Sequence, residues 1–469
     1  MSQRGLRVAT AALTVGLSAA IGLGAGHGVA HADRPPAVNP ALRPAGDPAV
    51  PPDKTERPAN SNCADIVTGG DGSTIPSAQR TLDLDRAWQF SQGEGQVIAV
   101  IDTGVARHPR LPDLEAAGDF VAAGGDGTED CDGHGTFVAG IIAASRVDGQ
   151  GFAGVAPRAR IMTIRQTSKM YQKEGASRDK APDAFPDGYG TLGTMASAIV
   201  RAVDRGATVI NISEVWCGPE KNVDGPIGAA LQYAVDRDVV VVVAAGNAED
   251  SCKTENTVTD PLDPTADPWS KVRVNVVPAR WDDYVLSVGS IDANGAPSKF
   301  TVAGPWLSVA APGENMVSLD PRGTSTAVGA VNQRGEQSPM SGTSFATPIV
   351  SGVVALVRAR FPELSAREVM KRIQATAHAP AEGWNKYIGY GSVDPIAALT
   401  EEVTGELPPK TPTPPKNQQL AVPAAKPAPD NTARDVALIG TGVIAAALLL
   451  GYLASFPIRR RFGVAEDND

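Results

Sequence analysis

Imidazole is nearly absent from this chain: five histidines occur in 469 residues, and two of them, His27 and His31, fall in an N-terminal stretch that reads as a removable leader. No C-x-x-C or paired-histidine spacing supports a metal site, and no metal or cofactor is assigned. Cysteine is equally sparse at four residues, and Lys and Arg (42) are outnumbered by Asp and Glu (52). The formal charge of -10 argues against a nucleic-acid partner. No internal repeat is visible.

What is present begins with targeting signals. Arg4 and Arg7 precede an apolar stretch over residues 8–23, and Ala30-His31-Ala32 has the small-residue pattern of a cleavage site, so residues 1–32 read as a signal peptide. An uncleaved anchor is the alternative, but the apolar run is short and rich in Gly and Ala. Near the other end, residues 436–456 carry no charge over 21 positions. As a helix they would span roughly 31 Å, the thickness of the hydrocarbon core. Arg459, Arg460 and Arg461 follow, and the positive-inside tendency places the tail 457–469 in the cytoplasm and everything before the span outside.

Four cysteines in an exported chain are expected to pair, and three connectivities are open. Pairing neighbours in order gives Cys63 with Cys131 and Cys217 with Cys252. Loops of that length would each contribute about 4 kcal/mol in the chain-entropy model. Free thiols remain the alternative.

Proline gathers in an extension, residues 33–80, and in a linker, residues 404–435. Between them residues 81–403 form one patterned region. Apolar runs at 97–101, 161–164, 208–212, 239–245 and 285–291 read as strands buried on both faces. Residues 191–205 and 226–237 have helical spacing, Gly206 sits at a C-cap position, and Ser365 with Glu368 forms a capping box. Such alternation predicts an α/β fold with a mainly parallel central sheet covered on both sides. Active sites of these folds lie beyond the carboxyl ends of the strands. Asp102, Ser213, Glu214 and Asn247 all fall there.

Amide hydrolysis at neutral pH needs a nucleophile, a base, a group to orient that base, and donors for the oxyanion. Ser344, in SPMSGTSFATP, precedes an apolar stretch over 345–361 that reads as a buried helix with the serine in its first turn. As a lone match it would more often be read as a helix cap. His134, in CDGHGTFVAG, lies between glycines that let neighbouring backbone approach, with a helix expected over 136–144. Asp102 ends the strand VIAVI, where it can accept the imidazole N–H or simply cap the turn with Thr103 and Gly104. The order Asp, His, Ser is that of the subtilisins, and it opposes a lipase or esterase reading of Gly342-Thr343-Ser344-Phe345-Ala346, since those enzymes place the serine first.

VIDTGV, DGHGTFVAG, AAGN and SGTSFATP resemble the signature blocks of the subtilisin-like serine proteases, and GYGSVDPIAAL resembles their closing segment. The resemblance implies a three-layer fold, a triad of Asp102, His134 and Ser344, and an oxyanion hole formed by the Asn247 side chain and the Ser344 backbone N–H. Without it, Asn247 would read as a turn residue. The signal peptide, the short cysteine-bearing arm, the Pro-rich linker and the C-terminal span together resemble the mycosins, membrane-anchored proteases of type VII secretion systems. That resemblance implies a polypeptide substrate among exported proteins, type VII secretion membrane components as partners, and attachment to the cytoplasmic membrane by one helix. A mainly structural role in the secretion complex, with peptidase activity secondary, is the alternative.

Three segments depart from the common pattern. Residues 33–80 are too few and too Pro-rich for an independently folded pro-domain, so a bond from Cys63 to Cys131 would make this arm a permanent wrap. Ser213-Glu214-Val215-Trp216 replaces small channel-lining residues and implies a narrower or charged primary pocket. The polar connection 166–190 is long for a βα loop and is expected to gate the cleft, dock a partner, or simply be a solvated insertion. The acidic run Asp126, Glu129, Asp130 and Asp132 fails the EF-hand spacing and reads as an exposed loop.

Overall fold

The computed structural model describes residues 34–58, 62–175, 183–185, 188–219, 223–249, 252–253, 256, 266–331, 335–410 and 429–461. The expected signal peptide, most of the 404–435 linker, part of the 166–190 connection and the end of the tail lie outside these. The chain divides into two units, Met1–Thr413 and Pro414–Asp469.

Seven strands build the central sheet of the first unit: β1 (Val97–Asp102), β2 (Glu115–Asp119), β3 (Arg160–Arg165), β4 (Val209–Ile212), β5 (Val240–Ala244), β6 (Leu286–Ile291) and β7 (Leu307–Pro312). Their order across the sheet is β7-β6-β5-β4-β1-β3-β2, and every pairing is parallel. The helices of this unit that matter for the site are α1 (His134–Ala143), α2 (Leu192–Asp204), α3 (Gly225–Asp236), α4 (Thr343–Arg360) and α5 (Ala366–Ala375).

The period of two along β1 divides the core. Ile98 and Val100 pack with Phe137, Ile141, Ile349 and Val353 of α1 and α4, while Ala99 and Ile101 pack with Met195, Ile199, Ile227 and Leu231 of α2 and α3. Each face therefore needs apolar residues, which is why VIAVI shows no polar alternation. The result is the three-layer α/β fold expected from the sequence.

The five anticipated strands are present within a residue or two of their expected bounds. Two strands of the sheet escape the pattern. EAAGD (β2) is a half-buried edge strand without a β-branched residue, and LSVAAP (β7) ends on proline. Helix α2 is fixed by a reciprocal Thr191–Thr194 capping box, and the Ser365–Glu368 box opens α5 as its spacing indicated.

Chain reversal places β1 between β3 and β4, so the crevice beyond its carboxyl end is the topological switch point. The arm borders this end. A disulfide joins Cys63 to Cys131, and a second joins Cys217 to Cys252. The strand Asp65–Thr68 pairs antiparallel with Thr326–Val331, and Thr55–Glu56 pairs with Gln172–Lys173. Farther back, the Arg43 guanidinium stacks 4.1 Å above the Tyr233 ring of α3. The arm is thus tied into the body of the domain.

In the second unit, α6 (Thr432–Arg461) begins where Asp430 accepts the Thr432 N–H at 2.9 Å. Its Thr432–Ile458 portion, 27 residues whose most apolar 18-residue window has a mean hydropathy of 2.2, is long and apolar enough to cross a membrane. It contains the whole expected span 436–456.

Candidate active site

Asp102 ends β1 with its side chain fully buried. Its Oδ1 accepts two hydrogen bonds, from the Thr103 N–H at 2.8 Å and from His134 Nδ1 at 2.7 Å. A carboxylate that also takes the backbone N–H beside it cannot rotate freely, so the imidazole meets a fixed acceptor. A proton on Nδ1 follows, and Nε2 is the ring nitrogen that Asp102 does not hold.

The sequence places a helix after His134, whereas α1 begins at His134 itself. Gly133, at φ 81°, occupies the N-cap in the left-handed region and turns the chain directly into the helix. Gly135 explains the second glycine: a Cβ there would stand 2.0 Å from the Gly104 carbonyl oxygen. The segment after Asp102 and the start of α1 are therefore in backbone contact, which sets the short Asp102–His134 distance.

Asp130 locks the same corner. It is buried, and it accepts from Thr103 Oγ1 at 2.8 Å, the Gly133 N–H at 2.8 Å, the Thr136 N–H at 2.8 Å and Thr136 Oγ1 at 2.6 Å. Burial pushes this carboxyl up to about 6 against the pull of those donors. The reading of the acidic run as an exposed loop is thus corrected at Asp130. Its neighbours act separately: Asp132 accepts from Ser168 Oγ at 2.5 Å and the Lys169 N–H at 2.8 Å, and Glu129 pairs with Arg165 at 3.1 Å.

Ser344 lies in the first turn of α4, as expected. Its carbonyl accepts from Ser213 Oγ at 2.8 Å; Ser213 Oγ in turn accepts from Asn211 Nδ2 at 3.0 Å, and Asn211 Oδ1 accepts from Ser351 Oγ at 2.8 Å. This buried chain ties the serine's turn to β4 and was invisible in the sequence, because its members lie on different elements. Asn247 is held by Thr343, whose N–H and Oγ1 both donate to Asn247 Oδ1, at 3.0 and 3.1 Å. With the carbonyl end so committed, Nδ2 is the free donor. Nδ2 and the Ser344 Oγ are each 3.1 Å from the place a Cβ on Gly342 would take. The Asn247 amide and the Ser344 hydroxyl thus flank one small space beside Gly342.

His134, Ser344 and Asn247 line one cleft of about 590 Å³ together with Asp132, Lys169 and Glu214. The His134 ring packs against Phe345, centroids 5.3 Å apart. Among the described residues no hydrogen bond joins the Ser344 hydroxyl to the imidazole. Glu214, one of the channel-lining residues singled out in the sequence, puts Oε1 3.4 Å from His134 Nδ1. Burial disfavours the imidazolium, yet Asp102 and then Glu214 outweigh it and push His134 up to about 9. Glu214 is itself pushed up to about 7, chiefly by burial. Asp102, His134 and Glu214 hold donor atoms within 4.8 Å of one another. The 2.7 Å Asp–His separation is that of a hydrogen bond and is shorter than the separation of two ligands around one zinc, roughly 3.3 Å for bonds near 2.0 Å.

Comparison with known proteins agrees with this geometry. The model of the Subtilase family matches residues 93–391. Mycosin-4 of Mycobacterium tuberculosis is 47% identical over 346 residues, 72% of each chain. The crystal structure of MycP1 from Mycobacterium smegmatis superposes with a TM-score of 0.73 at 39% identity, over 82% of this chain and 99% of that one. A chain of the intact ESX-5 inner membrane complex matches with a TM-score of 0.73 at 40% identity, over 90% of this chain and 98% of its own length. The chain belongs to the subtilase family of serine proteases, among the mycosins.

Proposed function

We propose that this protein is a membrane-anchored endopeptidase that cleaves exported polypeptides outside the cytoplasmic membrane, in association with the membrane components of a type VII secretion machine. The observation that carries the catalytic part is the 2.7 Å Asp102–His134 hydrogen bond opening on the cleft that Ser344 and Asn247 also line.

Ser344 Oγ attacks the carbonyl carbon of the scissile amide while its proton passes to His134 Nε2. The imidazolium so formed keeps its Nδ1–H on Asp102. The carbonyl oxygen becomes an oxyanion held by Asn247 Nδ2 and the Ser344 N–H. When the C–N bond breaks, Nε2 returns its proton to the departing amine, leaving an ester on Ser344. Water then repeats the sequence and frees the carboxylic acid.

The anchor is α6, and the basic residues that end it favour a cytoplasmic tail. Residues 1–32 would direct export, residues 33–80 would remain as a wrap, and residues 404–435 would tether the peptidase to the span. The likeness to a chain of the ESX-5 inner membrane complex supports association with a secretion machine, and it also favours a structural contribution there.

A fluorophosphonate probe is expected to label the full-length chain in detergent at Ser344, mapped by peptide mass spectrometry; correctly oxidised protein that stays unlabelled across the pH range defeats the proposal. Comparing secretion by a deletion strain with a Ser344→Ala strain isolates the structural role, and equal defects would remove it.

Asn247→Ala is expected to lower kcat by about 10²–10³-fold with little change in KM, because the amide acts on charge that exists only in the transition state. Steady-state kinetics on a fluorogenic peptide read both constants. Gly135→Ala forces the Gly104 and Gly135 backbones apart and moves His134 off Asp102, so the probe's labelling rate should fall by about 10²-fold. A near-normal rate with normal melting would show that the contact does not set the imidazole's place.

A further inference from the structure

Glu214 follows β4, lines the cleft, and puts Oε1 3.4 Å from the one imidazole nitrogen that Asp102 already occupies at 2.7 Å. Nδ1 has a single proton to donate, and Asp102 is the closer acceptor, fixed by Thr103. Glu214 is therefore not required to orient the ring. What it adds is a second negative charge beside the same nitrogen in a partly closed cleft.

Among the described residues, three other charged side chains act on this pair. Asp102 at the end of β1 reinforces the negative field, and Asp132, just before α1, acts on Glu214 in the same sense. Lys169, from the connection after β3, opposes imidazolium formation and favours the Glu214 carboxylate. The N-terminus of α1, where His134 sits, also disfavours positive charge. The two carboxylates at ion-pair distance prevail over burial, lysine and helix end together in raising His134, while burial raises Glu214.

Resting on the endopeptidase reading above, we propose that Glu214 is a positioning residue that adds to Asp102 in biasing the charge of His134: ionised, it favours the imidazolium and reduces the fraction of Nε2 able to accept the serine proton. Neutralising Glu214, or drawing it aside as substrate fills the cleft, leaves Nδ1 to Asp102 alone and enlarges the fraction of His134 whose Nε2 is in its basic form. The resting enzyme is throttled at neutral pH by its own channel residue.

Three full-length proteins in detergent test this: wild type, Glu214→Gln and Glu214→Asp. Fluorophosphonate labelling rates are followed from about pH 6 to about pH 10, where the acid limb reports deprotonation of the base. Histidine-selective isotope labelling gives the His134 titration independently by NMR, a spectrum kept simple by the scarcity of histidine. In Glu214→Gln the acid limb and the NMR midpoint should both fall by about one unit, so labelling at pH 7 rises about tenfold and converges with wild type at high pH. Glu214→Asp, which keeps the charge, should stay near wild type. Unchanged limb and midpoint in Glu214→Gln overturn the proposal, as does a Glu214→Asp profile that moves as far as that of Glu214→Gln. Absence of labelling at every pH in wild type strikes the endopeptidase reading instead, and the His134 midpoint still decides the charge question.

Discussion

Ser344→Ala is expected to reduce kcat/KM on a peptide substrate by on the order of 10⁶-fold while leaving thermal melting unchanged. The first half follows from the lack of a substitute. The neighbouring Thr343 hydroxyl is buried and donates to Asn247 Oδ1, so it cannot take over as nucleophile. The residual rate would come from the oxyanion donors and from substrate binding. The second half follows from local hydrogen bonding. Among the described residues the Ser344 hydroxyl has no hydrogen-bond partner, whereas its backbone carbonyl, which alanine retains, holds Ser213. Removing Oγ therefore orphans no buried group. Progress curves and a melting scan on the same preparation measure both; a large drop in melting temperature would show that the serine is chiefly a structural cap of α4.

Asp102→Asn is expected to lower kcat/KM by about 10⁴-fold near neutral pH. Asparagine fits the same buried space and can keep the Thr103 N–H, but it carries no charge to stabilise the imidazolium once Nε2 takes the serine proton. Its NH₂ group would also enter a pocket where Asp102 Oδ2 has no hydrogen-bond partner, which costs stability or turns the amide so that the imidazole loses its acceptor. The sign of the pH effect is fixed. Of the influences that raise the His134 pKa Asp102 is the largest, so its loss lowers that pKa and moves the acid limb down. Activity should thus fall on the plateau while its pH dependence shifts toward acid. A loss confined to KM would contradict an orienting and charge-stabilising role.

The parts legible in the sequence are those in which a short segment carries its own physics. VIAVID reads as a doubly buried strand because every position is apolar until the last, and the aspartate that ends it must then lie at the sheet's carboxyl edge. The Ser365–Glu368 box is visible because both partners lie within four residues. Edge strands such as EAAGD are not, since their pairing partner supplies the order that their composition withholds. Residue 134 illustrates the boundary. Its flanking glycines announced close backbone approach, but what approaches, the Gly104 carbonyl, is a tertiary fact, as is the hub at Asp130. Glu214 was legible as an intruder in the channel, whereas its position beside His134 Nδ1 depends on how β1, α1 and β4 converge.

The Ser213, Asn211 and Ser351 chain has the same character. Each residue alone is an ordinary polar side chain on a buried element, and only the fold shows that they link the Ser344 turn to β4. Such relays hold a reactive group in place without touching substrate.

The most direct measurement is a crystal structure of the fluorophosphonate adduct of this protein. A bond from Ser344 Oγ to phosphorus is predicted, with the phosphoryl oxygen about 3 Å from both Asn247 Nδ2 and the Ser344 N–H, and His134 Nε2 facing the remaining oxygen. An adduct on another residue, or a phosphoryl oxygen turned away from Asn247 with the imidazole rotated off Asp102, would contradict the assignment.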